Sequence, residues 1–162
     1  MSMTKLSLLV VLLQLVGCNV KESSYSIVDE RHVVADVTST IHNIFAACKN
    51  KSFTELESYH INTSKFSIFR EDGSRERLDA SKNNEIIRSE LSSLENAKFD
   101  ISDLKIDVVR HTVVATFILE IHASMQNTPV SGSNRVTFVF VEDQGSWRVL
   151  HEHFSAVVEK PH

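Results

Sequence analysis

Glycine and proline are scarce, four and two in 162 residues, which excludes a collagen-like repeat and a Pro/Gly-rich disordered tract. Cysteine is as scarce as proline: Cys18 and Cys48 are the only two, too few for the disulfide framework of a small secreted domain. Basic excess is also missing. Seventeen Lys+Arg stand against 21 Asp+Glu, a formal net charge of -4, so no global positive field draws the chain to nucleic acid, and none is expected as a partner. The sequence contains no Gly-x-Gly-x-x-Gly, phosphate-loop, Gly-x-Ser-x-Gly, Cys-x-x-Cys or His-Glu-x-x-His pattern. Nothing therefore calls for a nucleotide cofactor or a serine nucleophile, and the expected cofactor is none. What remains is 42% hydrophobic and 23% charged residues, the makeup of one ordinary globular domain.

The first residues read as an address. A single charge, Lys5, precedes an apolar run from Leu6 to Leu13, and Leu15-Val16-Gly17-Cys18 closes it. This is the layout of a secretory signal peptide, and the run is too short to span a bilayer. Small Gly17 before Cys18 resembles the bacterial lipoprotein signal, in which the cysteine thiol is acylated and becomes the mature N-terminus. That resemblance implies a signal over 1–17, then lipidated Cys18 and a polar tether over 18–28. Membrane attachment is then through the lipid alone, since no basic patch assists it. Asn19 stands where an Asp would retain such a protein in the inner membrane, which implies the outer membrane of the cell envelope, facing the periplasm. The alternative is a eukaryotic secretory signal, where Asn50-Lys51-Ser52 and Asn62-Thr63-Ser64 become glycosylation acceptors. With Cys18 acylated, Cys48 has no disulfide partner, and stability rests on the core.

Val34, Val37, Ile41, Ile44, Phe45 and Cys48 recur at three- and four-residue steps, predicting a helix from Glu30 to Cys48 with Asp29 as its cap. Ser52-Phe53-Thr54-Glu55 has capping-box spacing and opens a short second helix with Phe53, Leu56 and Tyr59 on one face. Lys65 to Arg70 has strand composition, and Glu71-Asp72-Gly73-Ser74 turns the chain. A third helix is expected over Asp79 to Leu94, burying Ile86, Ile87, Leu91 and Leu94. From Phe99 the period becomes two. Phe99 and Ile101 share one phase and Leu104, Ile106 and Val108 the other, so a bulge is expected at Ser102-Asp103. Thr112 to Ala123 alternates cleanly, Ser124 to Ser133 reads as the longest loop, and Arg135 to Glu142 and Ser146 to Val157 are the last strands. Helices followed by an antiparallel meander make an α+β fold: a curved sheet wrapped on N-terminal helices into a cone that leaves a pocket. The domain is expected over 29–158, with a tail over 159–162.

The run Arg135-Val136-Thr137-Phe138-Val139-Phe140-Val141, followed by Gly145-Ser146-Trp147-Arg148-Val149-Leu150-His151-Glu152-His153-Phe154-Ser155, resembles the SnoaL-like branch of the nuclear transport factor 2-like superfamily. Its Gly-x-Trp-x-x-x-His-x-His-x-Ser spacing is similar to the association domain of calcium/calmodulin-dependent kinases. The resemblance implies the cystatin-like cone, frequent homodimers and an end-on pocket, but no single activity, because this fold hosts isomerases, cyclases, dehydratases, transport adaptors and pure binders. In the kinase association domains, arginines line the pocket at the positions of Phe138 and Phe154, and that departure argues against the same anionic ligand here.

A three-residue loop Asp143-Gln144-Gly145, with Gly145 left-handed, would pair Glu142 with Ser146 and Phe138 with Leu150. Val136, Phe138, Phe140, Leu150, Glu152 and Phe154 then share the concave face, and Arg135, Thr137, Trp147, Val149, His151 and His153 the other. On this reading Glu152 is the one carboxylate among apolar neighbours, a candidate acid/base or the polar focus of a ligand site. The alternative is a structural Glu152, paired with Arg148, Arg70 or another cation at the rim, or solvated near the strand end. Tyr59 and His60 end the second helix, which the resemblance places at the cone mouth, and either can donate to a ligand, although Tyr59 equally suits a rim position with its ring in the core. The resemblance implies association through this sheet face, which makes Trp147, His151 and His153 the candidate dimer face; two histidines two residues apart also suit a metal, but the sequence fixes no third ligand, so none is assigned. Phe45, Phe53, Phe66, Phe69, Phe99 and Phe117 are expected in the core, and Cys48 is expected to be a buried inert thiol.

These residues leave three functions open: a lipid-anchored homodimer binding a small, mostly apolar molecule through Tyr59, Phe138, Phe140, Leu150, Glu152 and Phe154; a cofactor-free isomerase, cyclase or dehydratase with Glu152 as acid/base; and an association module without ligand.

Overall fold

The computed structural model describes residues 27–72 and 74–157. The expected signal peptide, Cys18 with most of its tether, Gly73 of the expected turn and the tail lie outside the described residues.

Helix α1 (Ile27–Asn50) buries Val33, Val37, Ile41, Ile44, Phe45 and Ala47 along one stripe. It starts before the expected cap, so Asp29 and Glu30 occupy its first turn, where carboxylates complement the helix dipole. Lys51 ends it in a left-handed conformation (φ 55°), with Ser52 N–H donating to Ala47 O at 2.9 Å and Lys51 N–H to Cys48 O at 3.2 Å. Ser52 is thereby committed to closing α1, and its side chain makes no cap bond to α2 (Phe53–Ser58). The expected capping box does not form. Strand β1 (Ser67–Phe69) follows, then α3 (Ala80–Ser93), capped by Asp79, whose carboxylate accepts from Lys82 N–H at 2.9 Å.

Four long strands complete the domain: β2 (Glu95–Val109), β3 (Thr112–Met125), β4 (Thr128–Asp143) and β5 (Ser146–Ala156). The curved, unclosed sheet has the order β1-β5-β4-β3-β2, antiparallel throughout except that β1 joins β5 in parallel. A register shift between Ser102 and Lys105, with Asp103 at φ 52°, is the bulge that the change of hydrophobic phase predicted. The expected loop over 124–133 is instead the far end of a hairpin. Gln126 and Asn127, both at positive φ, turn the chain, and β3 and β4 stay paired up to Met125 and Thr128. β5 stops opposite Asn134, so β4 has β3 alone beside it at Pro129, a position where proline is tolerated.

The hairpin between β4 and β5 corrects the expected register twice. Its loop has two residues, Gln144 and Gly145 (φ 52° and 77°), so Asp143 pairs with Ser146 and Glu142 with Trp147. A bulge at Leu150 then restores the phase, setting Val139 opposite His151 and Phe138 opposite Glu152. Val149, expected to face outward, is fully buried, and Trp147 packs against the core rather than sharing a face with His151 and His153. The buried apolar core runs from Val33 to Val149, so a chain that begins at Asn19 keeps all of it.

Candidate ligand pocket

The concave side of β3, β4 and β5 and the facing sides of α1 and α3 enclose a cavity of about 150 Å³. Its walls are mainly apolar, with Phe45, Phe99, Phe138 and Phe154 among them. Phe45 packs on Phe99 and Phe138 at centroid distances of 5.7 and 6.3 Å, and Phe138 on Phe154 at 5.9 Å.

Glu152 faces this cavity and is only 5% exposed. Its partner is His60, whose Nε2 lies 2.8 Å from Glu152 Oε1, while His60 Nδ1 lies 2.8 Å from Leu56 O. A carbonyl oxygen can only accept, so Nδ1 carries a proton, and a second proton is held between Nε2 and the carboxylate. Burial opposes a charged imidazole, but the Glu152 charge and hydrogen bond and the Leu56 carbonyl outweigh it, raising the His60 pKa above its ordinary value. The expected cationic partners are committed elsewhere: Arg148 to Asp143 at 3.0 Å and Arg70 to Glu90 at 2.7 Å.

Local backbone fixes the imidazole. Tyr59 closes α2, and the next residues lie along β5, with Val149 N–H donating to Tyr59 O at 2.8 Å and Ile61 N–H to Val149 O at 2.9 Å. His60 is held between these two bonds, and its ring meets Phe66 edge to face at 5.5 Å. Cys48 also lines the cavity; burial and the Glu152 charge push its thiol up to about 12, so it stays protonated.

Of the ligand contacts expected from sequence, Phe138, Glu152 and Phe154 line the cavity. Phe140 is fully buried beyond the lining, and Leu150 is removed from it by the bulge. Tyr59 points elsewhere: its hydroxyl donates to Glu55 at 3.0 Å on the surface. Phe69 is not in the core, because β1 sends Ile68 inward, and its ring packs on His151 and His153 at 6.1 and 6.2 Å. His151 Nδ1 is 2.9 Å from Ser67 Oγ. Sequence reasoning missed Asn83 and Asn134, which line the cavity and are each 5% exposed. It also missed that His60 is the partner of Glu152; the available signal was that a carboxylate directed inward requires one.

The SnoaL-like domain family matches residues 37–159. Solved structures share the fold across most of both chains. An NTF2-like family protein from Streptomyces avermitilis, whose name proposes a dehydratase, superposes with a TM-score of 0.73 at 16% identity, over 80% of this chain and 99% of that one. A nuclear transport factor 2-like superfamily protein from Salmonella enterica gives 0.72 at 15% identity, over 82% and 96%. The CaMKII hub homology domain of Chlamydomonas reinhardtii gives 0.64 at 13%, over 78% and 99%. Curated proteins provide no match. Identities this low carry the fold and not an activity. With its helices packed into a curved five-stranded sheet and the match running from α1 past β5, this chain belongs to the SnoaL-like domain family, within the NTF2-like fold.

Proposed function

We propose that this domain binds a compact, largely apolar molecule in the cavity, as a homodimer anchored in the cell envelope through an acylated Cys18. The observation that carries the reading is the His60–Glu152 contact opening onto an aromatic-lined cavity. A pair this deeply desolvated is costly to keep, and apolar residues of similar volume would serve the core as well or better. Its position on open space fits a role in meeting one polar atom of a ligand, as pockets of this kind commonly use a few placed polar groups among apolar walls. A cavity of about 150 Å³ is the size that holds one benzene-like ring.

A second reading is favoured by the proton arrangement. With Nδ1–H tied to Leu56 O, the proton between Nε2 and Glu152 Oε1 is the one free to move. A substrate atom beside this pair would find an acid and a base together, as a cofactor-free isomerisation, cyclisation or dehydration needs. The name of the Streptomyces avermitilis neighbour is in keeping with this reading.

Native mass spectrometry of the chain from Asn19 tests both. The expected result is a dimer retaining a discrete mass on the order of 100 Da, from the cavity size, lost in Glu152→Gln. A dimer with an empty cavity defeats the stable-binder reading and leaves an enzyme that releases its product or an association module. Glu152→Gln that still retains the mass removes the pair from the site. Acylation is tested separately by the intact mass of the N-terminal fragment extracted from membranes.

A further inference from the structure

The Glu152 carboxylate has two oxygens, and His60 takes only one. Oε1 makes the 2.8 Å contact with His60 Nε2, whereas Oε2 has no hydrogen-bond partner among the described residues. The amide oxygens of Asn83 and Asn134 are unpaired too, but surrounding atoms seal them off, and Oε2 is not sealed. Glu152 is 5% exposed and lines the cavity, so the cavity is the space onto which this oxygen opens. His60 has nothing further to give, because its Nδ1–H is held by Leu56 O. Oε2 is therefore the buried side-chain acceptor that the cavity leaves open, and a carboxylate oxygen withdrawn from water is costly until a donor meets it.

Charge narrows what that donor belongs to. His60 is balanced by Glu152 and Arg70 by Glu90, leaving Glu71 exposed at the rim. An ion entering the cavity would exchange its hydration for apolar walls and charges already neutralised, a cost that a neutral molecule does not meet.

We infer that the ligand is a neutral, single-ring molecule with one O–H or N–H donor, directed to Glu152 Oε2. This rests on the ligand-binding reading above and narrows it from a largely apolar molecule to a ring that donates. It also divides the carboxylate between two tasks: Oε1, held by His60, fixes the group in place, and Oε2 recognises the ligand. A ring of the same size without the donor buries Oε2 against carbon, and a buried acceptor left unpaired is a strong source of discrimination in a small pocket.

Phenol and its methyl isostere toluene, titrated calorimetrically into the chain from Asn19 at neutral pH, test this. Phenol is expected to bind roughly ten- to a hundredfold more tightly than toluene, the effect of one hydrogen bond to a charged group. Phenol binding should also shift a carboxylate stretching band in the infrared difference spectrum, a change absent with toluene. In Glu152→Gln the band change should vanish and the preference for phenol shrink, while toluene affinity stays within about twofold, since the apolar walls are untouched. Toluene binding as tightly as phenol overturns the inference while ring binding itself stands. So does tighter phenol binding with no carboxylate band change, because the hydroxyl then accepts rather than donates. Failure of both rings to bind overturns the ligand-binding reading as well. The two probes and the infrared band need no variant, so misfolding of Glu152→Gln does not decide it.

Discussion

A buried imidazole stays charged only where fixed negative partners outweigh its lost hydration, and at His60 they do. The sign of the resulting pH dependence follows from the raised His60 pKa. Stability from this proton is fully present below the ordinary imidazole value of 6.5 and is lost as the pH rises through the higher folded value. The urea midpoint is therefore expected to fall as the pH rises above the ordinary imidazole range, with the slope much reduced in Glu152→Gln. An equal slope in the variant would remove the pair as its cause. Glu152 was legible in the sequence as an inward carboxylate because strand alternation sets direction. His60 was visible only as a polar residue at a helix end: 92 residues separate the partners, and no periodicity reaches so far. Asn83 and Asn134 gave less signal still, since an Asn in a helix or strand pattern reads as surface until packing encloses it.

Elements with long apolar periods were readable, and short ones were not. α1, α3 and the strand phases followed from spacing, including the bulge near Ser102, because each burial pattern spans many residues. β1 has three residues, too few for a period, so its parallel place beside β5 came only with the structure. The β4–β5 hairpin shows how local turn choice governs a site. A loop one residue shorter than expected reversed the inward phase near the turn, and the Leu150 bulge reversed it again before Glu152 and Phe154. Two errors of register cancelled at the site and left Val149 and Trp147 misplaced. The short loop depends on Gly145, at φ 77° with open space around it. Gly145→Ala is expected to cost about 1 kcal/mol from backbone strain alone. Gly132→Ala, also in open space but without positive φ, should be neutral or stabilising by a few tenths of a kcal/mol. Urea unfolding of both decides it: equal effects would mean that the turn geometry is not the controlling term.

At the scale of the molecule, the α1 stripe and the inner sheet face share one core, while among the described residues no helix lies against the outer sheet face. Val114, Val139 and His151 form one row across β3, β4 and β5, with Thr116, Thr137 and His153 in the next and Ile118 beyond. Val114, Ile118, Val139 and Val141 are half-buried there, more apolar surface than a solvated strand face ordinarily shows. The register correction moves the proposed dimer face: Trp147 leaves it, His151 and His153 remain, and the central valines take its middle. A two-fold axis over this row would set Val139 near its own copy, as an isologous interface requires. Val139→Asp would then place two carboxylates in a desolvated centre and raise the dimer dissociation constant by at least about a hundredfold. Light scattering on the eluting chain from Asn19 should give twice the monomer mass for wild type and the monomer mass for Val139→Asp. Ring binding should survive in that monomer, because Val139 lies on the face opposite the cavity. An unchanged dimer in the variant would move the interface off this face, whereas a monomer that no longer binds would make assembly a condition of the pocket.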